Sequence, residues 1–147
     1  MKKICRLSCL PQSTDFALLF LRLWFGLTLF FNHGLAKAIH HAQMSRMLPD
    51  PLHIGAHANI VLIVFAEVIC SALVVLGIAT RLAALIIAIE FAVAFICVHH
   101  LALAMGPGSG ELAFLNLGAF LTIVFAGGGR FVLCNQSNAV ATNDPSV

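Results

Sequence analysis

The chain has 147 residues, of which 61% are hydrophobic and 10% are charged, and its mean hydropathy is +1.00. A soluble domain is only about half apolar and about a quarter charged, so this composition excludes an ordinary soluble protein and indicates several membrane spans. The net charge is only +2, and no basic run with interleaved aromatic residues occurs, so the sequence indicates no nucleic-acid partner.

Four apolar stretches are predicted to be transmembrane helices, at residues 16–38, 58–77, 82–104 and 111–126. Each comes close to the roughly 20 residues needed to cross about 30 Å of hydrocarbon, although the fourth is short. Prolines in the first connection cannot continue a helix, the second connection is the tight hairpin GIATR, and the third is the glycine-rich GPGSG.

These spans predict an all-α fold, an integral-membrane bundle of four transmembrane helices. Residues 16–134 would form the membrane domain, between an N-terminal segment at 1–15 and a polar tail at 135–147. Most basic residues lie before the first span, in the second connection or after the fourth span, and in a four-helix bundle these segments are on the same side of the membrane. The positive-inside rule therefore predicts that both termini are cytoplasmic. These basic residues are Lys2, Lys3, Arg6, Arg81 and Arg130.

Three charged residues lie within the predicted spans at similar depth. At a rise of 1.5 Å per residue, Arg22, Glu67 and Glu90 lie about 9, 15 and 12 Å from the cytoplasmic ends of their helices. Ionisable groups inside a membrane usually pair with one another, so we expect Arg22 to pair with Glu67, with Glu90 or with both. One guanidinium does not balance two carboxylates, which makes this layer a candidate proton site. Alternatively, the three residues only lock the bundle together.

A second polar layer is predicted at the opposite end, where all seven histidines gather and Glu111 opens the fourth span. Imidazoles exchange protons near neutral pH and ligate transition metals, so this layer is a candidate site for a quinone head group or for copper, zinc or iron. His33, His99 and His100 are the candidate metal ligands. Glu111 needs no function to be present, because a carboxylate is stabilised at a helix N-terminus. The histidines are His33, His40, His41, His53, His57, His99 and His100.

Polar and glycine residues recur in a fixed order along the predicted spans. The first span carries Arg22, Gly26, Phe30, His33, Gly34 and Lys37, and the second span with its hairpin carries Glu67, Gly77, Thr80 and Arg81. The pattern ends with His99, the pair Gly110 and Glu111, and the run GGGR at 127–130. In this order and at this spacing, these residues resemble the DoxX family of small four-helix bacterial inner-membrane proteins, and the resemblance covers about residues 17–132. Glu90 and the histidine-rich first connection depart from the family's pattern.

The resemblance implies a multi-pass protein of the bacterial inner membrane. It also implies association with membrane oxidoreductase complexes, including relatives of the small subunit of thiosulfate:quinone oxidoreductase, or with thiol or oxidative-stress systems. Some members of the family lie near genes for copper-handling peptides. The expected partners are membrane lipids, other subunits of a redox complex or a second copy of the chain. No flavin, nicotinamide or P-loop motif occurs, so the chain is at most a membrane subunit of an oxidoreductase.

The leading hypothesis is a subunit of a quinone- or thiol/sulfur-linked redox complex, with a quinone-type ligand bound near the outer face. Glu67, Glu90 and His99 would exchange protons, and Arg22 and Lys37 would stabilise charge that develops on the ligand. The predicted ligand-binding residues are Arg22, His33, Lys37, Glu67, His99 and Glu111. A non-catalytic anchor or assembly factor, and a protein that handles a transition metal, are the alternatives.

Overall fold

The computed structural model describes residues 13–103, 106 and 108–133, and in these ranges the chain is helical and contains no strand. Its helices are α1 (Thr14–Ile39), α2 (His41–Met47), α3 (Ala56–Leu76), α4 (Thr80–Val98) and α5 (Glu111–Ala126). The predicted all-α fold is confirmed for this part of the chain. The predicted polar tail and most of the predicted N-terminal segment lie outside the described residues.

Three of the helices, α1, α3 and α4, are long and apolar enough to cross a membrane by length and composition. The fifth helix is apolar but shorter, with 16 residues, and its bounds match the predicted fourth span. Helix α1 begins two residues before the predicted span, because the Ser13 hydroxyl accepts the Phe16 N–H at 3.3 Å and caps the helix. The acidic Asp15 in the first turn also favours this start.

The predicted hairpin between the second and third spans is confirmed as a tight turn. Gly77 ends α3 in the left-handed conformation, with φ of 76°, and the Ile78 N–H donates to the Leu73 carbonyl at 2.9 Å. Such a reversal favours glycine, which has no Cβ to clash. A Cβ at Gly77 would also lie 2.6 Å from Nη2 of Arg22, so two independent constraints require glycine there.

The third span ends earlier than the sequence predicts, at Val98 and not at residue 104. His100 and Leu101 have φ of 50° and 62°, a conformation that cannot continue a right-handed helix. The chain then returns toward α5, and the Gly110 N–H donates to the Ala102 carbonyl at 2.7 Å. Hydropathy alone did not reveal this reversal, because the residues after Val98 remain mostly apolar.

The first connection contains the short helix α2 and then a proline-containing segment at residues 48–52. The Asp50 carboxylate accepts the N–H groups of Ile54 and Gly55 at 3.2 and 2.7 Å. The Asn59 side chain, at the start of α3, donates to the Pro49 carbonyl at 2.9 Å. These bonds hold residues 48–52 against one end of the bundle, where they form part of a cavity wall.

Each of the three long helices contains a π-helical turn, at Phe30–Gly34, Phe65–Cys70 and Ala94–Val98. Such turns are rare and occur frequently at functional sites. The turns of α1 and α3 touch, and a Cβ at Gly34 would lie 2.7 Å from the Glu67 backbone oxygen. Glycine at position 34 therefore allows α1 and α3 to approach closely beside Glu67.

We expect Gly34→Ala to destabilise the protein by roughly 2 kcal/mol, because the added methyl group must push α1 away from the α3 backbone. Thermal unfolding in detergent can be followed by the reaction of the Cys70 thiol, which is 1% exposed, with a maleimide dye, in a chain whose other cysteines are serine. Gly118→Ala is the matched control, since a Cβ there meets no atom within 4 Å. Equal unfolding temperatures for the two variants would contradict the expected close contact.

Candidate ligand cavity and the buried arginine

A cavity of about 480 Å³ lies between α1, α3, α4, the start of α5 and residues 48–52. Its wall is predominantly apolar, with side chains such as Leu62, Phe91 and Leu112. A few polar and charged side chains interrupt this wall. They are His33, Lys37, Asn59, Glu67, Glu90, His99 and Ser109. An apolar cavity with a small number of convergent polar groups is the usual form of a small-molecule site.

An ion pair joins α1 and α3 at this cavity. Lys37 Nζ lies 2.5 Å from Glu67 Oε1, and the side chains are 20% and 2% exposed. The π-helical turn of α3 carries Glu67, and the approach allowed by Gly34 brings α1 close to it. The sequence predicted Glu67 in a layer with Arg22 and Glu90, and Lys37 beside a ligand near the outer face, where the histidine layer lies. The structure joins both layers in a single site.

Two carboxyl oxygens at this cavity are buried and accept no hydrogen bond from the described residues. These atoms are Glu67 Oε2 and Glu90 Oε2. Buried polar atoms in proteins nearly always have a hydrogen-bond partner, so an orphaned pair in one cavity needs an explanation. A ligand that supplies hydrogen-bond donors would provide one.

The two histidines at the cavity come from α1 and from the residue that follows α4. His33 is partly buried, and His99 Nδ1 lies 2.9 Å from the Gly108 carbonyl oxygen. A carbonyl only accepts, so Nδ1 of His99 carries a hydrogen in this contact. The predicted site residues His33, Lys37, Glu67, Glu90 and His99 therefore line one cavity.

Two other predicted residues do not line this cavity. Glu111 is exposed at the start of α5, where its backbone N–H donates to the Ser109 hydroxyl at 3.2 Å. His100 is exposed and lies in the reversal after α4. The described residues, which include every histidine, contain no group of three or more His, Cys, Asp or Glu side chains placed to hold a metal ion.

The expected pairing of Arg22 with the glutamates is wrong. Arg22 is 1% exposed, and its guanidinium donates instead to backbone carbonyls of two other chain segments. Nε and Nη2 reach the last turn of α3, while Nη1 reaches the segment after α5. The acceptors are Val74 at 2.8 Å, Val75 at 3.1 Å, Gly128 at 2.6 Å and Phe131 at 2.8 Å.

The reason for this difference is the position of α3 along α1. Val74 lies seven residues beyond Glu67, about 10 Å farther along the helix axis. The last carbonyls of a helix have no intrahelical partner and carry partial negative charge, so a buried guanidinium is well placed there. Arg22 is therefore outside the cavity and joins α1 to the last turn of α3 and to the segment after α5, which agrees with the locking role that the sequence left open.

Sequence reasoning missed the Lys37–Glu67 pair and the contribution of Asn59 and Ser109 to the cavity wall. The pair had one available signal, the glycine at position 34, which permits a close helix contact one turn before Lys37. Asn59 and Ser109 gave no signal, because single polar residues near a loop are common.

Apolar helices of membrane length, packed around a cavity lined by a few ionisable side chains, define the class of multi-pass membrane proteins. The sequence model of the DoxX family matches residues 17–100, more than half of the chain. The chain therefore belongs to the DoxX family, as its motifs indicated. The match covers α1 from its fourth residue onward and all of α2, α3 and α4, and it ends before α5. No curated protein and no solved structure matches the chain.

Proposed function

We propose that this protein is a subunit of a redox complex in the bacterial inner membrane and that its cavity binds a quinone-type ligand. The observation that carries the proposal is the apolar cavity of about 480 Å³ with two orphaned carboxyl oxygens, from Glu67 and Glu90. Its volume is within the range of about 300–1,000 Å³ that is typical of small-molecule sites. A quinone has an apolar ring and tail and two polar ring oxygens, which suits such a wall.

A bound quinone would supply two-electron chemistry that is coupled to the transfer of two protons. The chain would supply the proton-exchanging groups, Glu67, Glu90 and His99, while electrons would come from a partner subunit. Lys37 would hold the Glu67 carboxylate in position through their ion pair. Arg22, whose guanidinium is engaged by carbonyl oxygens, takes no part in this version of the mechanism.

The proposal includes a topology in which α5 is the fourth crossing and both termini are cytoplasmic. Helix α5 is about 24 Å long at 1.5 Å per residue, somewhat short for about 30 Å of hydrocarbon. Arg81 and Arg130 support this orientation, since they follow α3 and α5 at the same end of the bundle. The cavity would then open toward the outer half of the membrane.

Filling the cavity tests the proposed site. We expect Ala94→Leu to weaken binding of decylubiquinone by at least about tenfold, because Ala94 lines the cavity and three added carbons would occupy ligand space. Binding can be measured by equilibrium dialysis of purified protein in detergent, with the ligand quantified by chromatography.

Ala92→Leu is the matched control for this experiment. Ala92 is on the same helix, two residues away and also partly buried, but it does not line the cavity. Its binding should match that of the unmodified protein. If the unmodified protein binds no quinone at all, the proposed quinone site is wrong, and the alternative of a non-catalytic anchor or assembly factor describes this protein better. Equal weakening in the two variants would place the ligand elsewhere.

A further inference from the structure

The cavity has its polar groups inside and its exposed residues at the rim. Among the described residues that line it, every polar side chain is buried or half-buried, and every exposed side chain is apolar. The exposed ones are Pro49, Leu52, Leu62, Phe65, Ile89 and Leu112. We propose that the ligand is an amphiphile whose hydrocarbon chain leaves the bundle sideways, between α3 and α4, into the membrane. This inference rests on the proposed function and adds to it the path of the ligand's chain.

Two of the exposed lining residues lie at the depth of the middle of a membrane. Phe65 is nine residues after the start of α3, and Ile89 is nine residues before the end of α4, which lies at the same end of the bundle. At 1.5 Å per residue, both are about 14 Å from that end, near the middle of about 30 Å of hydrocarbon. Their side chains are 44% and 55% exposed. An opening between them therefore faces acyl chains and not water.

Helices α3 and α4 diverge from this depth toward the end of the bundle that holds the cavity. Helix α4 packs against Phe65–Cys70 and Ser71–Leu76 of α3. The preceding residues of α3, Ala56–Val64, pack mainly against α2 and against Leu35–Ile39 of α1. The divergence leaves a gap between α3 and α4 beside the cavity.

The seams on either side of this gap are closed by tight contacts. Between α1 and α3, a Cβ at Gly34 would lie 2.7 Å from the Glu67 backbone oxygen. Between α4 and α5, the rings of Phe95 and Phe114 are 5.3 Å apart, and a Cβ at Gly110 would lie 2.8 Å from the Phe95 ring. Of these three seams, the one between α3 and α4 is the open one.

A side opening at this depth favours a ligand with a long hydrocarbon chain. The carboxyl groups of Glu67 and Glu90 lie behind the apolar rim, so the polar head of the ligand enters the cavity and its chain extends past Phe65 and Ile89. A chain that left through the end of the bundle would pass into water, and each methylene group moved from hydrocarbon to water costs free energy. A chain that leaves sideways stays in hydrocarbon. The gap therefore suits a ligand that reaches the site from within the membrane.

Photolabelling of the full chain in detergent locates the chain of the ligand. The probe is decylubiquinone with a diazirine in the middle of its decyl chain, and the labelled residues are identified by mass spectrometry of peptides. We expect label on Leu62, Phe65 and Ile89. Leu52 and Leu112, which line the cavity at the end of the bundle, should carry little. Label confined to that end would overturn the side exit.

Closing the gap is the second test. Ile89→Trp should weaken binding of decylubiquinone by at least about tenfold in equilibrium dialysis, because the larger ring occupies the path of the chain. Leu85→Trp is the matched control, since Leu85 is one turn away on α4 and 41% exposed but does not line the cavity. Its binding should match that of the unmodified protein. Equal binding by the two variants would overturn the inference.

The outcomes separate this inference from the proposed function. If decylubiquinone binds but its chain is labelled only at the end of the bundle, the side exit is wrong and the proposed quinone site stands. If Ile89→Trp alone changes the oligomeric state, measured by native mass spectrometry, a second copy of the chain covers the gap, and the inference is likewise wrong. If decylubiquinone does not bind, the proposed function fails, and the inference fails with it.

Discussion

Replacement of Arg22 by alanine should destabilise the protein by at least about 4 kcal/mol and lower its unfolding temperature by roughly 10 °C. The guanidinium donates to four backbone carbonyls, from Val74, Val75, Gly128 and Phe131. Each carbonyl that loses its donor in a buried site costs about 1 kcal/mol or more. The substitution also leaves the space of a large, fully buried side chain. The Cys70 labelling assay described above measures the change.

Arg81→Ala is the matched control, because Arg81 is exposed and donates one bond, from Nε to the Val124 carbonyl at 2.9 Å. It should cost less than about 1 kcal/mol. The loss of stability in Arg22→Lys should lie between those of Arg22→Ala and Arg81→Ala. An ammonium keeps the charge but lacks the planar guanidinium group that reaches several carbonyls. If Arg22→Ala and Arg81→Ala unfold at the same temperature, the hydrogen bonds of the Arg22 guanidinium do not stabilise the bundle.

Replacement of Lys37 by methionine should destabilise the protein by about 3–5 kcal/mol, because it leaves the Glu67 carboxylate buried without its counter-charge. Methionine keeps most of the length of the lysine side chain, so the change removes mainly the ammonium group. The same Cys70 assay applies, and it is sensitive here because Cys70 belongs to the π-helical turn that carries Glu67.

The double variant Lys37→Met with Glu67→Gln separates the ion pair from simple loss of packing. With both charges removed, stability should return to within about 1 kcal/mol of the unmodified protein. Glu67→Gln alone should leave the Lys37 ammonium without its partner, at a smaller cost, since Lys37 is 20% exposed and can reach water. Additive effects of the two substitutions would show that the pair is not coupled.

Much of the fold was predictable because hydropathy and helix breakers are local properties of a sequence. The helical class, the hairpin at Gly77 and the bounds of α5 agree with prediction. Helix α4 was predicted too long, since residues 99–104 include a reversal at His100 and Leu101 that an apolar composition conceals. The π-helical turns were not predicted, because no residue type or spacing marks them.

Part of the polar lining of the cavity could be predicted from the sequence, but the pairing of its residues could not. His33, Lys37, Glu67, Glu90 and His99 were selected because ionisable groups are costly in an apolar span, and they line one cavity. Arg22 was selected for the same reason, but its partners are carbonyl oxygens, which every residue carries and which no sequence pattern distinguishes. Likewise, the exposed position of Glu111 follows from the path of the chain before α5.

The sequence by itself determined that this is an apolar helical protein of the DoxX family and which few side chains would be costly to bury. The tertiary structure decided that Lys37 reaches Glu67 and that Arg22 joins α1 to the last turn of α3 and to the segment after α5. It also decided that a cavity lies between α1, α3, α4 and the start of α5. The physical reason is that periodicity sets the face on which a residue lies, whereas its partner depends on how far each helix is shifted along its neighbours. That shift is set by close contacts such as Gly34 against Glu67, which depend on two segments distant in the chain.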